Sequence, residues 1–527
     1  MKNFLKSGLF ILIIICMDFG FRFLMEPVTY FGHYAESDYR NNMGKYDTVF
    51  LGSSWTFQDY NVSEYDRIMG DTYTFNAGTV GQIPIDSYYY LKQIIEDNPV
   101  KKVYFNISPN RFTYVKNNTS SVVLNDRLRG WNKIKHMLAA SNKDLILYYS
   151  GIYRYKKDLS PSAVIKNLRI KSTREYRDGS LRFDENPYYT ENGYVGSAVK
   201  MNRHNNDAYT PGDGFGVWDT AVIQKYDEDY FFRILDICEK NQIELVLLVP
   251  PSSIGYLQTI KGYDEFHNYV QKIANEHKMR FLDFNYLNPS PFSDDELFQD
   301  YNHLNSEGAK ILTPLLCKVL YDRGSIDPPA FCRSLSERKD LAEICGGVMG
   351  EVKKAGQLYL VNAKPSGPKG RKLFYRYSAQ YAGSDSWNSV TDFAENNLFM
   401  IRSQSGLQRI KIECCPEGTP SEEAAYTIKA VSEAVTDDTP NLYAAYLRTE
   451  ESLYLAVTGV RDRKLRFSQW VAENSYELIK DDSDQDLICI KLPPYGMYRY
   501  KVEYLDPVSG EVTDQAEAFI NLEDGWV

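Results

Sequence analysis

The sequence is poor in the side chains that bind transition metals. It has six histidines and eight cysteines in 527 residues, and no two cysteines follow a C-x-x-C spacing. This excludes the paired-cysteine pattern of zinc fingers. Apart from the adjacent Cys414 and Cys415, the cysteines are spread along the chain, which gives little support for a disulfide framework, although an external location would permit bridges. We therefore expect no metal and no other cofactor.

The sequence also lacks a basic cluster that would offset its acidic excess. The net charge is -10, the isoelectric point is near 5.4, and the lysines and arginines are scattered. Proteins that bind nucleic acids generally carry a concentrated positive surface. The composition therefore argues against a nucleic-acid partner.

Long apolar runs are missing except near the N-terminus. The run from Gly8 to Met17 is too short to cross a bilayer, which needs about 20 residues. Residues 4–25 would suffice if Lys6 and Arg22 reach the headgroups. Because two lysines precede the run and no A-x-A-like cleavage site follows, we interpret residues 1–26 as an uncleaved signal anchor with the bulk of the chain outside the cell membrane. Cleavage is the second interpretation, and a buried N-terminal helix is the third.

The remaining chain has the composition of a globular protein. Its 43% of apolar residues can form cores in two to four units. From residue 46 to about 325, apolar runs alternate with helical patterns, which predicts a three-layer α/β domain with a parallel sheet over residues 27–330. The predicted strands cover 46–52, 72–78, 100–108, 243–250 and 279–285. The predicted helices cover 84–97, 226–241, 262–277, and a last one from Asn305 or Ser306 to Gly324.

A long segment, residues 111–225, separates the third and fourth predicted strands. It is rich in Tyr, Asn and Gly and has few apolar runs. Long connections in compact domains are often functional. The segment is either a lid or substrate-binding insertion, or a helical elaboration that does not contact ligands.

After residue 330 the pattern changes to short strands that recur at a nearly constant distance. "KLFYRYSA" begins at Lys372 and "KLRFSQWV" at Lys464, 92 positions later; "GLQRIKIE" begins at Gly406 and "GMYRYKVE" at Gly496, 90 positions later. These offsets predict two tandem all-β sandwich domains, residues 331–435 and 436–527. "TDDTPN" at residues 436–441 is the expected linker.

Small polar residues follow the first three predicted strands. "FLGSSWTF" places Ser53 and Ser54 after the first strand, "NAGTVGQ" places Gly81 after the second, and "ISPNRF" places Asn110 after the third. Open parallel sheets hold their reactive groups at the carboxyl edge of the strands. Each of these residues taken singly is more often part of a turn.

An aspartate and a histidine follow the last predicted strand, in "QDYNHLNSEG", as Asp300 and His303. The spacing alone decides nothing, because Asp264 and His267 share it inside an amphipathic pattern, where we interpret them as a solvated helix flank. The order of the blocks along the chain is more specific.

Serine, glycine, asparagine and Asp-x-x-His, each after its own strand, form the four-block pattern of the SGNH, or GDSL-like, hydrolases, which the sequence resembles over residues 46–325. The resemblance implies a flavodoxin-like fold, Ser54 as the nucleophile, Gly81 and Asn110 in the oxyanion hole, His303 as the base, and Asp300 as the residue that orients it. Ser53 stands where the commoner members have aspartate. Ser54 occupies the third position of the motif and is therefore preferred to Ser53.

"GSS", "SPNRF", "DYNHLNSEGA" and the N-terminal anchor are most similar to the DltD-like and AlgX-like envelope acyltransferases. "FYRYSAQYAGSDSWNSV" at residues 374–390 resembles triple-tyrosine β modules. These resemblances imply an anchored extracellular serine O-acyltransferase or esterase acting on a cell-envelope glycan or teichoic-type polymer, beside a membrane-bound O-acyltransferase. Whether the acyl group is transferred or hydrolysed stays open, and the β repeats are either glycan-binding modules or spacers. The alternative function is a non-catalytic surface scaffold that keeps the fold.

Overall fold

The computed structural model describes most of the chain as two units, each with its own core. The described residues are 2–28, 30–112, 119–140, 145–157, 160–181, 189–202, 218–355, 358–402, 406–431, 435–436, 440–447, 452–460, 462–472, 475–485, 487–491, 493 and 497–521. The first unit comprises Met1–Met201, Gly214–Ser253 and Ile260–Lys339, and the second comprises Asn202–Asp213, Ile254–Thr259 and Asp340–Val527.

The α-helices in chain order are α1 (Lys2–Met25), α2 (Tyr30–Asn42), α3 (Ser54–Asp59), α4 (Val62–Met69), α5 (Pro84–Asp97), α6 (Thr119–Arg127), α7 (Gly130–Ala140), α8 (Gly151–Tyr155), α9 (Pro161–Lys171), α10 (Arg174–Asp178), α11 (Lys225–Lys240), α12 (Ile254–Thr259), α13 (Tyr263–Glu276), α14 (Ser306–Tyr321) and α15 (Lys339–Glu343).

The strands of the first unit are β1 (Thr48–Gly52), β2 (Thr74–Gly78), β3 (Lys102–Asn106), β4 (Glu244–Val249), β5 (Arg280–Asp283), β6 (Leu287–Asn288), β7 (Phe298–Asp300), β8 (His303–Leu304) and β9 (Ala330–Phe331). The strands of the second unit are β10 (Gly347–Ala355), β11 (Leu358–Ser366), β12 (Leu373–Tyr381), β13 (Asn388–Ser389), β14 (Leu398–Arg402), β15 (Leu407–Pro416), β16 (Ala425–Ala430), β17 (Val435–Thr436), β18 (Asn441–Leu447), β19 (Ser452–Thr458), β20 (Lys464–Ala472), β21 (Ser475–Ser483), β22 (Leu487–Lys491), β23 (Met497–Leu505) and β24 (Val512–Asn521).

The first unit is built on a five-stranded parallel sheet with the order β2-β1-β3-β4-β5. This is the flavodoxin-like order, in which the chain reverses direction across the sheet between β1 and β3. All five residues of β1 and of β2 are buried, as expected for strands covered by helices on both faces. The predicted fold class, a flavodoxin-like α/β domain followed by antiparallel all-β sheets, is therefore confirmed.

The five strands of this sheet lie inside the predicted ranges and are shorter, because the flanking residues leave the ladder as turns. Helix α5 has the predicted bounds, and α11 and α13 differ by one residue at each end. Helix α14 begins after Asn305, whose side-chain oxygen accepts hydrogen bonds from the N–H groups of Glu307 and Gly308. Asn305 is thus the N-cap residue of the last helix.

Two glycines allow α3 to lie close over the ends of β1 and β2. Gly52 ends β1 with φ +146°, and a Cβ there would stand 2.5 Å from Thr56 Oγ1 and 3.0 Å from Asn106 Cβ. At Gly78, which ends β2, a Cβ would stand 2.9 Å from the carbonyl oxygen of Ser53. The chain can therefore turn from β1 directly into α3, with the start of the helix at the carboxyl edge of the sheet.

Helix α1 is apolar and long enough over Lys6–Met25 to serve as a membrane anchor or a signal sequence, judged by length and composition. The described parts of the long insertion that follows β3 are largely helical, from α6 to α10. Helices α8 and α9 pack against the second half of α1, and α7 packs against α5. The described helices of the insertion therefore cover α1 and α5 of the first unit.

The described residues of the second unit form two pairs of sheets with similar strand arrangements, except that β17 adds a fourth strand to one sheet of the first pair. The first pair has the orders β14-β11-β10-β17 and β13-β12-β15-β16, and the second has β18-β19-β22 and β21-β20-β23-β24. The repeated sequences starting at Lys372 and Lys464 form β12 and β20, and those starting near Gly406 and Gly496 form β15 and β23. Within each pair of sheets, one apolar core lies between the two inner faces. The boundaries of the two predicted β domains stay a prediction.

The close approach at Gly52 gives a test of the packing under the site. We expect Gly52→Ala to lower the free energy of unfolding by about 3 kcal/mol, because it adds a steric clash to an unfavourable backbone conformation. Gly70→Ala is the matched control: Gly70 also has a positive φ, +78°, but a Cβ there meets no described atom within 4 Å, so a loss of only about 1 kcal/mol is expected. Denaturant unfolding measures both, and equal losses would contradict the packing argument.

Candidate active site

Ser54 is the first residue of α3, directly above the carboxyl end of β1. Its neighbour Ser53 is the N-cap residue; its side chain is buried and makes no capping hydrogen bond. Asn76 in the middle of β2 donates to the carbonyl oxygens of Thr56 and Tyr60 at 2.9 and 3.3 Å. These contacts fix α3 on the sheet edge and fix the position of Ser54.

Asp300 is the last residue of β7 and His303 is the first residue of β8. These strands form a two-stranded antiparallel hairpin just before α14. Asp300 pairs directly with His303 across a two-residue turn of Tyr301 and Asn302. A two-residue turn places positions i and i+3 opposite each other. The Asp-x-x-His spacing is thus the spacing of two facing positions in a hairpin.

The hairpin brings its two polar side chains to Ser54 in one continuous chain of hydrogen bonds. His303 Nε2 lies 2.7 Å from Ser54 Oγ. His303 Nδ1 lies 2.9 Å from each carboxylate oxygen of Asp300. With the proton on Nδ1, the imidazole donates to Asp300 and leaves Nε2 to accept the serine hydroxyl proton. The structure therefore brings together three of the five predicted site residues.

The carboxylate of Asp300 is held in its charged form. Burial raises the pKa of this carboxyl, but the hydrogen bond and charge of His303 and the N–H groups of Asn302 and His303 lower it, and the net pKa lies below its usual value. These N–H groups donate to Oδ1 at 3.1 and 3.0 Å. A charged Asp300 fixes the imidazole tautomer and stabilises an imidazolium.

Asn302, inside the motif, links Asp300 to Trp55, the residue after Ser54. With its amide oxygen accepting from Trp55 Nε1 at 3.1 Å, its amide nitrogen lies 3.1 Å from Asp300 Oδ1. This bridge joins the hairpin turn to α3. Asn302 and Trp55 could not be identified from the sequence, because neither side chain takes part in the chemistry that the motif indicates.

Asp59, on the last turn of α3, supports the hairpin from beneath. Its Oδ1 accepts the backbone N–H of Leu304 at 2.8 Å, and the side chain is fully buried. Burial raises the pKa of Asp59 well above its usual value, the Leu304 N–H offsets this in part, and the nearby charge of Asp300 raises it further. Burial therefore favours the neutral form of Asp59, and its Oδ1 positions the residue next to His303.

The two predicted oxyanion-hole residues lie in the connections that follow β2 and β3. Gly81 is in the turn before α5, with φ +64°. Asn110 is in the short 3-10 helix Pro109–Phe112, but its side chain lies outside the described residues. Because β2, β1 and β3 are adjacent in the sheet, both connections leave the same edge as Ser54. The role of each residue stays a prediction.

Comparisons with known proteins match the first part of the chain by structure. No protein-family model matches, and no curated protein matches. A GDSL-like lipase from Bacteroides thetaiotaomicron is similar at 10% identity, with 52% of this chain and 87% of that chain covered and a TM-score of 0.24. A proposed lipolytic protein of the G-D-S-L family from Desulfitobacterium hafniense is similar at 14% identity, with 52% and 98% covered and a TM-score of 0.24. A proposed acylhydrolase from Bacteroides fragilis is similar at 11% identity, with 55% and 94% covered and a TM-score of 0.24.

The second Asp-x-x-His pair has a structural function, and its interpretation as a solvated helix flank is wrong. Asp264 accepts hydrogen bonds from Ser334 Oγ and from the Leu335 N–H, both at 3.0 Å. His267 instead pairs with Asp283, with 3.0 Å between Nδ1 and Oδ2. Asp264 and His267 are neighbours on one face of α13, but each bonds to a different partner outside the helix, so the pair forms no joint site here.

Another carboxylate–histidine pair, Asp86 and His136, joins α5 to the insertion. His136 Nε2 lies 2.8 Å from Asp86 Oδ1, and both side chains are completely buried. Ser121 Oγ donates to the other carboxylate oxygen at 3.0 Å. Complete burial closes this group to substrates, so it stabilises the attachment of the insertion. Among the described residues, no group of three or more His, Cys, Asp or Glu side chains is arranged as metal ligands would be.

The neutral state of Asp59 can be tested through pH. Because the folded-state pKa is raised, ionisation of Asp59 destabilises the fold, and this cost is absent below the unfolded value of about 4 and grows as pH rises through the folded pKa. We expect Asp59→Asn, which keeps an acceptor for the Leu304 N–H, to gain stability relative to wild type as pH rises from 5 to 9. Thermal unfolding midpoints measure this, and a pH-independent difference would contradict the assignment.

Asp59→Ala is the companion variant. It leaves the Leu304 N–H without its acceptor, which costs about 1–3 kcal/mol, and it should lower the reactivity of Ser54 more than Asp59→Asn does.

Proposed function

We propose that this protein is an SGNH-type serine esterase or O-acyltransferase that works through an acyl-serine intermediate. The observation that carries the proposal is the hydrogen-bonded series Ser54 Oγ, His303 and Asp300, with 2.7 Å between the serine oxygen and the imidazole. A serine hydroxyl is a weak nucleophile until an adjacent base accepts its proton. This geometry supplies the base and the carboxylate that orients it.

The reaction begins when Ser54 Oγ attacks the carbonyl carbon of an acyl donor and its proton passes to His303 Nε2. The backbone N–H groups of Ser54 and Gly81 and the Asn110 amide are the proposed donors to the resulting oxyanion. Loss of one such donor typically costs about 3 kcal/mol. The tetrahedral intermediate collapses, and the proton on His303 moves to the leaving group. Water or a second hydroxyl then attacks the acyl-serine by the same steps in reverse.

The proposed acceptor is a cell-envelope polysaccharide or a teichoic-type polymer, and the acyl group is acetyl or D-alanyl. The support is the apolar helix α1 as a membrane anchor, together with β repeats suited to holding a chain of sugars. The sequence resemblance to DltD-like and AlgX-like proteins adds a membrane-bound O-acyltransferase as a proposed partner. Transfer and hydrolysis share the acyl-serine and differ only in the acceptor.

The nucleophile can be tested by labelling the full chain with a serine-directed fluorophosphonate. We expect wild-type labelling to be lost in Ser54→Ala and to fall at least about 10³-fold in rate in His303→Ala, because the serine loses its base. Ser53→Ala is the matched control, since it removes the neighbouring hydroxyl and should keep most of the labelling. Gel fluorescence and peptide mapping measure the outcome. Equal labelling of wild type, Ser54→Ala and His303→Ala would overturn the enzymatic proposal and favour a non-catalytic scaffold.

Transfer and hydrolysis can be distinguished in cells that express Ser54→Ala in place of the wild-type chain. Under transfer, the ester content of the envelope polymer falls; under hydrolysis, it rises. Alkaline release of the acyl groups followed by chromatography measures both. Unchanged ester content, with labelling of Ser54 intact, would contradict an envelope polymer as the substrate while leaving the serine chemistry standing.

A further inference from the structure

The charged residues in the second half of α1 form hydrogen bonds and an ion pair with the insertion. Asp18 accepts hydrogen bonds from Ser150 Oγ at 2.6 Å and from the N–H groups of Gly151 and Ile152 at 3.0 Å. Arg22 forms an ion pair with Asp126 at 2.5 Å. Charges in a membrane span are costly unless protein groups pair with them. The insertion supplies these partners, so it must lie where α1 meets the membrane.

The backbone carbonyl groups at the end of α1 also bind the insertion. Lys171 Nζ donates to the carbonyl oxygens of Phe23 and Glu26 at 2.6 and 2.7 Å. Asn167 Nδ2 donates to those of Leu24 and Met25 at 3.0 and 3.1 Å. The terminal carbonyls of a helix need partners, and here α9 provides them. Helices α8 and α9 are therefore attached directly to α1.

The length of α1 places this attachment within the membrane interface. The part before Asp18, residues 4–17, spans about 21 Å at 1.5 Å per residue, which is less than the hydrocarbon thickness of about 30 Å. Residues 18–25 add about 12 Å. A bilayer that covers the whole apolar stretch therefore reaches the helices that pack on residues 18–25.

The insertion exposes an unusual share of large apolar side chains. Among the described residues outside α1, twenty-one large apolar side chains are exposed. Ten of them lie in residues 119–171, a segment that makes up about a tenth of the chain. On α7, Trp131, Ile134 and Leu138 share one face, and Trp131 is 74% exposed. On α9, Ile165 and Leu168 share one face, with 57% and 42% exposed. The others are Val123, Ile146, Leu147, Tyr148 and Ile152.

The same segment is basic in an acidic protein. Residues 119–171 contain eleven Lys and Arg against three Asp, whereas the whole chain has a net charge of -10. Apolar side chains with tryptophan and tyrosine, flanked by lysine and arginine, are the composition of surfaces that enter a membrane interface and bind anionic lipids.

We infer that the described parts of residues 119–171 form a membrane-binding collar around the end of α1, with Trp131, Ile134 and Leu138 of α7 and the exposed apolar residues of α8 and α9 inserted among anionic phospholipids. Insertion to a depth of about 5–10 Å is usual for such surfaces. The collar would hold the first unit, with Ser54, at a fixed height above the bilayer. This inference rests on the membrane anchoring that is part of the proposed function.

The test uses the full chain reconstituted in vesicles of phosphatidylglycerol and phosphatidylcholine with brominated acyl chains, which quench tryptophan at short range. The chain has six tryptophans and none in α1, so the anchor itself gives no signal. We expect part of the emission to be quenched, and Trp131→Phe to reduce that quenched part at least threefold. Trp470→Phe, at a residue 40% exposed in the second unit, is the matched control and should keep it. Vesicles without phosphatidylglycerol should quench less.

Equal quenching in wild type and Trp131→Phe would overturn the inference. Alkaline carbonate extraction of the same vesicles separates this failure from a failure of the anchor. A chain that carbonate releases contradicts the anchoring, whereas a chain that stays in the membrane with unquenched Trp131 contradicts the collar alone. A third outcome would show that the surface binds a protein. In that case Trp131 is not quenched in lipid vesicles, and a protein that co-purifies with the wild-type chain from native membranes is lost with Trp131→Arg. This outcome would show that the lipid assignment is wrong.

Discussion

The site depends on the attachment of one short hairpin to one short helix. The hairpin β7–β8 carries Asp300 and His303 on facing positions, and α3 carries Ser54 and Asp59 at its two ends. Three hydrogen bonds join them: Ser54 bonds to the imidazole, the Leu304 N–H donates to Asp59, and Trp55 Nε1 donates to the amide oxygen of Asn302. These residues lie about 250 positions apart along the chain, so only the tertiary fold brings the hairpin and the helix together.

Asn302 and Asn305, next to this contact, are buried and hydrogen-bonded. Buried polar groups stabilise a unique arrangement only when their hydrogen bonds are satisfied. Asn302 bridges Trp55 and Asp300, and Asn305 joins the cap of α14 to the carbonyl of Glu296 at 2.6 Å. The nucleophile and its base are therefore each held by a second set of contacts, as a preorganised serine site requires.

Sequence patterns were sufficient for the sheet, because strands such as β1 and β2 are buried on both faces and read as continuous apolar runs ended by glycine. They were also sufficient for Ser54, Asp300 and His303, whose order along the chain is specific even though each residue alone is not. Asp59 could not be found in this way, because its function is set by burial and by the Leu304 N–H, which no local pattern records. A helical elaboration was one of the two alternatives for the insertion, but the bounds of its helices could not be predicted, because their apolar faces pack on α1 and α5 or stay exposed and few continuous apolar runs appear.

The interpretation of residues 264–267 shows the limit of spacing as a signal. The same Asp-x-x-His gives a bonded pair in the β7–β8 hairpin and two separate contacts in α13, because the partners that surround α13 bind each side chain separately. The charge of the insertion was likewise hidden when the composition was taken as a whole. Its eleven Lys and Arg against three Asp become apparent when residues 119–171 are counted by themselves.

The most direct test of the account is to trap the covalent intermediate. The full chain is mixed with an activated acetyl ester, quenched in acid, digested and mapped by tandem mass spectrometry. The account predicts one acetyl group on the Ser54 oxygen, formed in wild type and not in His303→Ala. Acetyl on Ser53 or on a residue outside this site, or turnover of the ester with no acetylated serine, would contradict it.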